Sequence, residues 1–194
     1  MLLQQISALC LLTIAAPLLA IVALCIYLES PGKVIFSQTR IGENGRHFKF
    51  YKFRSMFVAG DKRYKQPDLK QSSREGICKK FIDDPRITKV GKFIRKYSID
   101  ELPQLFNVLL GDMSLVGPRP ALASESYQYN RQQFKRLGCK PGLTGLWQVS
   151  GRADTSFAEQ IALDLKYIKQ QSFVFDLKIL LATIPAVLGA KGAY

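Results

Sequence analysis

The chain has 194 residues, enough for one ordinary domain with a real core. Its 28 Lys and Arg against 15 Asp and Glu give a formal charge of +13, which points to a polyanionic partner: an anionic membrane surface, phosphorylated substrates or nucleic acid. A single histidine, His47, and four cysteines (Cys10, Cys25, Cys78 and Cys139) without CxxC or metal-ligand spacing argue against a zinc site and a histidine-based triad, and fit free thiols in a reducing compartment.

Residues 6–28 are nearly all apolar. The run is long enough to cross a hydrocarbon core, and it lacks the basic n-region and cleavage site of a secretory signal. Pro17 stands near its middle, placed to kink a helix. No charge precedes Glu29, while Lys33, Arg40 and Arg46 follow closely, so the positive-inside rule puts the rest of the chain on the cytoplasmic side. After the turn at Ser30-Pro31-Gly32, residues 33–40 read as a strand. Gly42-Glu43-Asn44-Gly45 reads as a hairpin turn, and residues 46–54 as the returning strand. Alternation puts Arg46, Phe48, Phe50, Lys52 and Arg54 on one face. Such a basic–aromatic ribbon suits phosphates, nucleic acid or anionic headgroups.

Residues 59–84 are polar, highly charged and weakly periodic, a long surface loop that reads as a lid or a solvated insertion. Helical spacing resumes over residues 85–96, with Ile87, Val90, Phe93 and Ile94 on one side and Lys89, Lys92, Arg95 and Lys96 on the other.

Two adjacent carboxylates, Asp100 and Glu101, follow at the start of another apolar stripe formed by Leu102, Leu105, Phe106 and Leu109. Ser98-Ile99-Asp100-Glu101 matches a capping box, which makes the acids structural. Pro103 counts against that reading, because a helix capped at Ser98 needs an amide hydrogen at residue 103. A helix starting near Pro103 leaves the acids just ahead of it, beside free backbone N–H groups where phosphates bind. Carboxylates there meet a phosphate only with cations or a metal ion nearby. Arg119, stiffened between Pro118 and Pro120, is one such cation.

Residues 121–137 read as a helix of mixed polarity. Residues 140–152 are glycine-rich but lack the Gly-Lys-Ser/Thr of a Walker A loop. Their glycines suit close backbone approach to a nucleotide phosphate, Trp147 reads as stacked on a base or as buried, and Arg152 is a further phosphate candidate. Residues 157–169 form a helix with Ile161, Leu165 and Ile168 on its stripe. Residues 173–188 are apolar but interrupted by Asp176, Lys178 and Pro185, which suits an interfacial helix or a core element better than a span. The fold expected is mixed α/β and mainly helical, with one small antiparallel hairpin.

Four motifs in register, Ser98-Ile99-Asp100-Glu101-Leu102-Pro103-Gln104, Gly111-Asp112-Met113-Ser114, Gly117-Pro118-Arg119-Pro120 and Pro141-Gly142-Leu143-Thr144-Gly145, resemble the bacterial sugar transferases, the monotopic phosphoglycosyl transferases. The resemblance covers residues 17–178. It implies transfer of a sugar 1-phosphate from a UDP-sugar to a polyprenyl phosphate, undecaprenyl phosphate in bacteria, with release of UMP, in the first membrane step of glycoconjugate assembly. By the same resemblance Asp100 is the nucleophile that carries the phosphosugar. Glu101 helps bind Mg²⁺, and Lys52, Arg95 and Arg119 hold phosphates, with Arg54 a lesser candidate. Residues 1–29 form a membrane helix that breaks at Pro17 and re-enters, Ala16-Pro17 standing where the family has Ser-Pro. Residues 30–194 form the catalytic domain on the cytoplasmic face of the inner membrane. A basic, membrane-anchored module without activity explains the charge and the apolar run, but not an acidic pair framed by Arg95 and Arg119. An ordinary nucleotide-sugar glycosyltransferase would release UDP instead. No nucleic-acid partner is expected.

Overall fold

A computed structural model describes residues 2–66, 84–151 and 155–189. Helix α1 (Leu2–Glu29) stays helical through Pro17. Its inward stripe is Ala8, Leu12, Ala15, Leu19, Val22 and Ile26, a repeat alternating four and three residues, while the rest of its apolar surface faces outward. Pro17 lies within the helix, and both halves meet the folded body. A proline removes one hydrogen bond, but Ala8 and Leu12 on one side and Val22 and Ile26 on the other pack on the same body and hold the helix across it. Both ends are tied down. The Gln5 amide donates to the Leu109 carbonyl at 2.9 Å, and the Glu29 carboxylate accepts from the backbone N–H groups of Lys89 and Val90 at 2.8 and 2.9 Å.

Strands β1 (Ile35–Ile41) and β2 (His47–Phe53) pair antiparallel from Ile35↔Phe53 to Ile41↔His47. The turn between them uses Asn44 at φ 54° and Gly45 at φ 80°, the left-handed backbone that an Asn-Gly pair accepts at low cost. Phe48 and Phe50 are buried against α1. They are core, not the stacking surface suggested by the alternation, and Arg46 lies exposed at the hairpin tip. Phe53 enters a second cluster with Val22, Ile26 and Ile94. Arg54 is also withdrawn from the substrate role: it is buried and donates to the Ser30 hydroxyl at 3.1 Å and to the Ser30 carbonyl, anchoring the exit of α1.

Most of the expected loop, residues 67–83, lies outside the described residues. Its flanks meet where the Phe57 N–H donates to the Arg86 carbonyl at 2.8 Å and Met56 bridges Ile87. Helix α2 (Lys89–Lys96) is capped by the Thr88 hydroxyl, which accepts from the Gly91 N–H at 2.8 Å. It packs so close to the hairpin that a Cβ on Gly91 would lie 2.0 Å from the Ser55 carbonyl oxygen.

Helix α3 (Gln104–Leu109) begins after Pro103, as the missing amide hydrogen requires. Strand β3 (Ser114–Val116) pairs in parallel with β5 (Gly142–Thr144), and β4 (Ala121–Leu122) adds to the free edge of β1. The single helix expected over residues 121–137 is instead β4, a short helix α4 (Ala123–Ser126) and a 3₁₀ turn at Gln133–Gly138. Pairing with β1 claims residues 121 and 122, and the Asn130 side chain accepts from the N–H groups of Gln132 and Gln133, starting a new turn.

Helices α5 (Leu146–Ser150), α6 (Phe157–Gln170) and α7 (Phe173–Leu188) close the chain. A reciprocal capping box starts α6 at Ser156 and Glu159. The inward face of α6 is Gln160, Ile161, Asp164 and Tyr167, with Leu165 at its margin. Helix α7 buries Ile179 and leaves Phe173, Leu177, Leu181, Ile184 and Leu188 exposed, the outward apolar face expected of an interfacial helix.

Candidate active site

Ser98 adopts a left-handed backbone, φ 54°, and its side chain makes no capping bond. The capping box does not form. The chain instead turns through a 3₁₀ segment, Ile99–Glu101, before α3 begins. That kink holds the Asp100 side chain inward, 7 % exposed, and leaves Glu101 partly buried beside it. Arg119 donates from Nη1 to Glu101 Oε1 at 3.2 Å. Lys52 projects from β2 over the Phe36 ring, with its Nζ 5.5 Å from the ring centroid.

Lys52, Arg95, Asp100, Glu101 and Arg119, taken from β2, α2, the 3₁₀ turn and the proline-braced loop, line one cavity of about 1420 Å³. Three of the predicted cations thus converge on the predicted dyad. Arg152 lies outside the described residues. Burial first, and the adjacent Glu101 charge second, push the Asp100 carboxyl up to about 7, while Lys52, Arg95 and Arg119 pull it down. Burial pulls the Lys52 ammonium below its ordinary value, opposed chiefly by Asp100. A buried carboxylate of raised basicity, faced by more positive than negative charge, can attack a phosphorus centre while the cations hold its oxygens.

The donor set also suits a hard divalent cation. Among the described residues no group of three or more His, Cys, Asp and Glu gathers as a dedicated cage. Mg²⁺ characteristically takes one or two carboxylates and completes its shell with water and substrate phosphate, and adjacent Asp100 and Glu101 fit that habit.

Sequence reasoning missed three residues. Arg40 is buried in the cavity wall, donates to the Pro120 carbonyl at 3.2 Å and sits 5.2 Å from the Phe50 ring centroid. Arg136 is 6 % exposed; it pairs with Asp164 at 2.6 Å and donates to the Tyr129 hydroxyl at 2.9 Å and to the Arg119 carbonyl at 3.2 Å. The loop that carries Arg119 is therefore held by two buried arginines. One signal was available: Asp164 falls within the apolar stripe of α6, where a charge requires a buried partner.

The glycines have a different role from the one expected. A Cβ on Gly142 would lie 2.0 Å from the Gly117 nitrogen, and one on Gly145 would lie 2.3 Å from the Gly117 carbonyl oxygen. They let β3 and β5 approach each other beneath the Arg119 loop. Trp147 is buried, and its indole N–H has no hydrogen-bond partner among the described residues.

The chain is similar to sugar transferases and exopolysaccharide production proteins. The chain is 55 % identical over 163 residues to "Galactosyl transferase CpsE" of Streptococcus agalactiae, covering 84 % of this chain and 36 % of that protein. It is 41 % identical over 188 residues to "Exopolysaccharide production protein ExoY" of Rhizobium meliloti, covering 94 % and 82 %. It is 45 % identical over 200 residues to "UDP-glucose:undecaprenyl-phosphate glucose-1-phosphate transferase" of Caulobacter vibrioides, covering 99 % and 70 %. The chain thus spans about a third of the CpsE protein and most of ExoY. The bacterial sugar transferase profile matches residues 1–190, and the chain belongs to that family.

Proposed function

We propose that this chain transfers a sugar 1-phosphate from a UDP-sugar to undecaprenyl phosphate, releasing UMP, at the start of a bacterial glycoconjugate pathway. The observation that carries the reading is the buried Asp100, set with Glu101 among Lys52, Arg95 and Arg119 in one cavity flanked by the apolar helix α1. The printed names of the relatives include undecaprenyl-phosphate phosphotransferases for both galactose and glucose, so the family carries the class of reaction without fixing the sugar.

Asp100 attacks the β-phosphorus of the donor through a carboxylate oxygen. The bond from that phosphorus to the bridging oxygen breaks, and UMP leaves with its electron pair. The acyl phosphate that remains carries the sugar. A phosphate oxygen of the lipid then attacks the same phosphorus, and the Asp100 carboxylate is freed as the lipid diphosphate sugar forms. Lys52, Arg95 and Arg119 neutralise the phosphoryl oxygens. Arg119 also orients Glu101 through their 3.2 Å contact. Mg²⁺, held by Glu101, supplies charge screening of the diphosphate when bound.

Helix α1 gives the membrane geometry. Gln5 near its start and Glu29 at its end both bond to the same folded body, so the helix lies along that body and does not leave it. That arrangement supports a monotopic enzyme, its outward apolar face in the lipid of the inner membrane and its basic domain on the cytoplasmic headgroups. The test is nucleotide release from a panel of UDP-sugars with undecaprenyl phosphate and Mg²⁺ in nanodiscs. UMP release lost in Asp100→Asn is expected. Release of UDP would make it a conventional glycosyltransferase, and binding of anionic lipid without release from any donor would favour the non-enzymatic module.

A further inference from the structure

The sheet that carries Lys52 has an open side. Its strand order is β2-β1-β4, so β2 is an edge strand, and pairing with β1 satisfies only the backbone groups on one side of it. On the other side, the groups at its middle meet a side chain in place of a strand. Asn107, in α3, is fully buried. Its Nδ2 donates to the Lys49 carbonyl at 2.6 Å, and its Oδ1 accepts from the Tyr51 N–H at 3.1 Å. A carbonyl and the N–H two residues further on, along one strand edge, are what a single residue of a parallel neighbour would bond. The Asn107 amide therefore stands in for one residue of a further strand opposite Phe50. Its backbone is fixed as well, since the Asn107 carbonyl accepts from the Asp112 and Met113 N–H groups at 2.9 and 3.2 Å.

Two parts of the site are joined through this one side chain. Lys52 follows Tyr51 directly in β2, and Asp100 and Glu101 stand just ahead of α3. Burial pushes the Asp100 carboxyl up most, and of the three cations that oppose it Lys52 acts most strongly. Asn107 is not among the residues that line the cavity, so whatever it does for the reaction it does through another group. What its amide adds over a leucine of similar size is the register of β2 against α3. We propose that Asn107 is a positioning residue for the transfer: by pinning the outer edge of β2 to α3 it sets the Lys52 ammonium against Asp100, where that ammonium meets the phosphoryl oxygens of the donor. The inference rests on the transferase reading.

The experiment is a double-mutant cycle on the full chain in nanodiscs. Wild type, Asn107→Leu, Lys52→Met and the double variant are compared by exchange of labelled UMP into UDP-sugar without any lipid acceptor. Asn107→Leu should slow exchange by about tenfold or more, the effect of displacing a charge-stabilising group by a fraction of its reach. In the Lys52→Met background the same substitution should cost less than about twofold, because the group it positions is gone. A purely structural asparagine would cost the same factor in both backgrounds, and that result overturns the proposal, as does wild-type exchange in Asn107→Leu. Asn107→Ser, which leaves room for a water to take over part of the bridge, carries the same cycle should the leucine variant fail to melt cooperatively. Titration of the Asp100 carboxyl, followed by carboxyl-carbon NMR and assigned by its loss in Asp100→Asn, gives a reading without turnover. Its midpoint should move to higher pH in Asn107→Leu, because Lys52 no longer pulls it down, and should move no further in the double variant than in Lys52→Met. An unmoved midpoint overturns the proposal. Absence of exchange in wild type would refute the transferase reading instead, and the NMR titration would still decide whether Asn107 sets Lys52 against Asp100.

Discussion

Replacing Asp164 by alanine leaves the Arg136 guanidinium buried without its countercharge. Both groups are withdrawn from water, with side chains 1 % and 6 % exposed, and they meet at 2.6 Å. Its hydrogen bonds to the Tyr129 hydroxyl and the Arg119 carbonyl go to neutral oxygens, and the Glu125 carboxylate acts on it less strongly than Asp164 does. Breaking a buried pair from one side costs about 3–5 kcal/mol, because the surviving charge stays uncompensated. For a chain of this size each kcal/mol shifts the melting temperature by about 2–4 °C, so Asp164→Ala should melt roughly 6–20 °C below wild type. The double variant Asp164→Leu, Arg136→Met removes both charges and should recover most of that loss. It should not recover full activity, since it also removes the hydrogen bond to the Arg119 carbonyl. A net hydrogen bond of about 1 kcal/mol corresponds to roughly a fivefold slower transfer. Thermal unfolding in detergent, read beside UMP release, separates the two effects. A single variant that melts within 2 °C of wild type, on the order of the smallest per-kcal/mol shift, or a double variant no more stable than the single, would refute the reasoning.

The UMP exchange rate should rise with pH through about 7, because Asp100 attacks only when deprotonated and its carboxyl is pushed up to about 7 by burial and by Glu101. In Glu101→Gln the neighbouring negative charge is gone, so the rising limb should move to lower pH even as the rate falls; a pH–rate profile of both proteins checks this. Arg119→Ala should cut exchange by about a hundredfold, the usual cost of one group aimed at developing phosphoryl charge, with Arg119→Lys rescuing only part because the planar fork is lost. Gly142→Ala places a methyl 2.0 Å from the Gly117 nitrogen and should destabilise the protein by about 3 kcal/mol or more, seen as a lower melting temperature.

What the sequence showed well was local. Asn44-Gly45 announced its turn because few other residues accept that backbone, and Pro103 located the start of α3 because its nitrogen carries no hydrogen. The motifs singled out Asp100, Glu101 and Arg119, and the structure brings these three to one cavity. What it hid depends on which surfaces meet. Phe48 and Phe50 alternate with lysines as a nucleic-acid ribbon would, yet α1 covers them. Gly142 and Gly145 looked like a phosphate loop because a close approach to another strand and a close approach to a ligand demand the same missing side chain. Residues 121–137 lost their helix to a two-residue pairing with the distant β1, Arg40 with Leu122 and Ile41 with Ala121. Pro17 did not end α1, since packing on both sides outweighed one absent hydrogen bond.

In the proposed reaction Asp100 carries the phosphosugar before any lipid arrives. Exchange of labelled UMP into UDP-sugar, measured in the complete absence of undecaprenyl phosphate, tests it most directly. Exchange is expected in the wild-type chain and none in Asp100→Asn. Exchange that appears only when lipid is added, or that persists in Asp100→Asn, would contradict it.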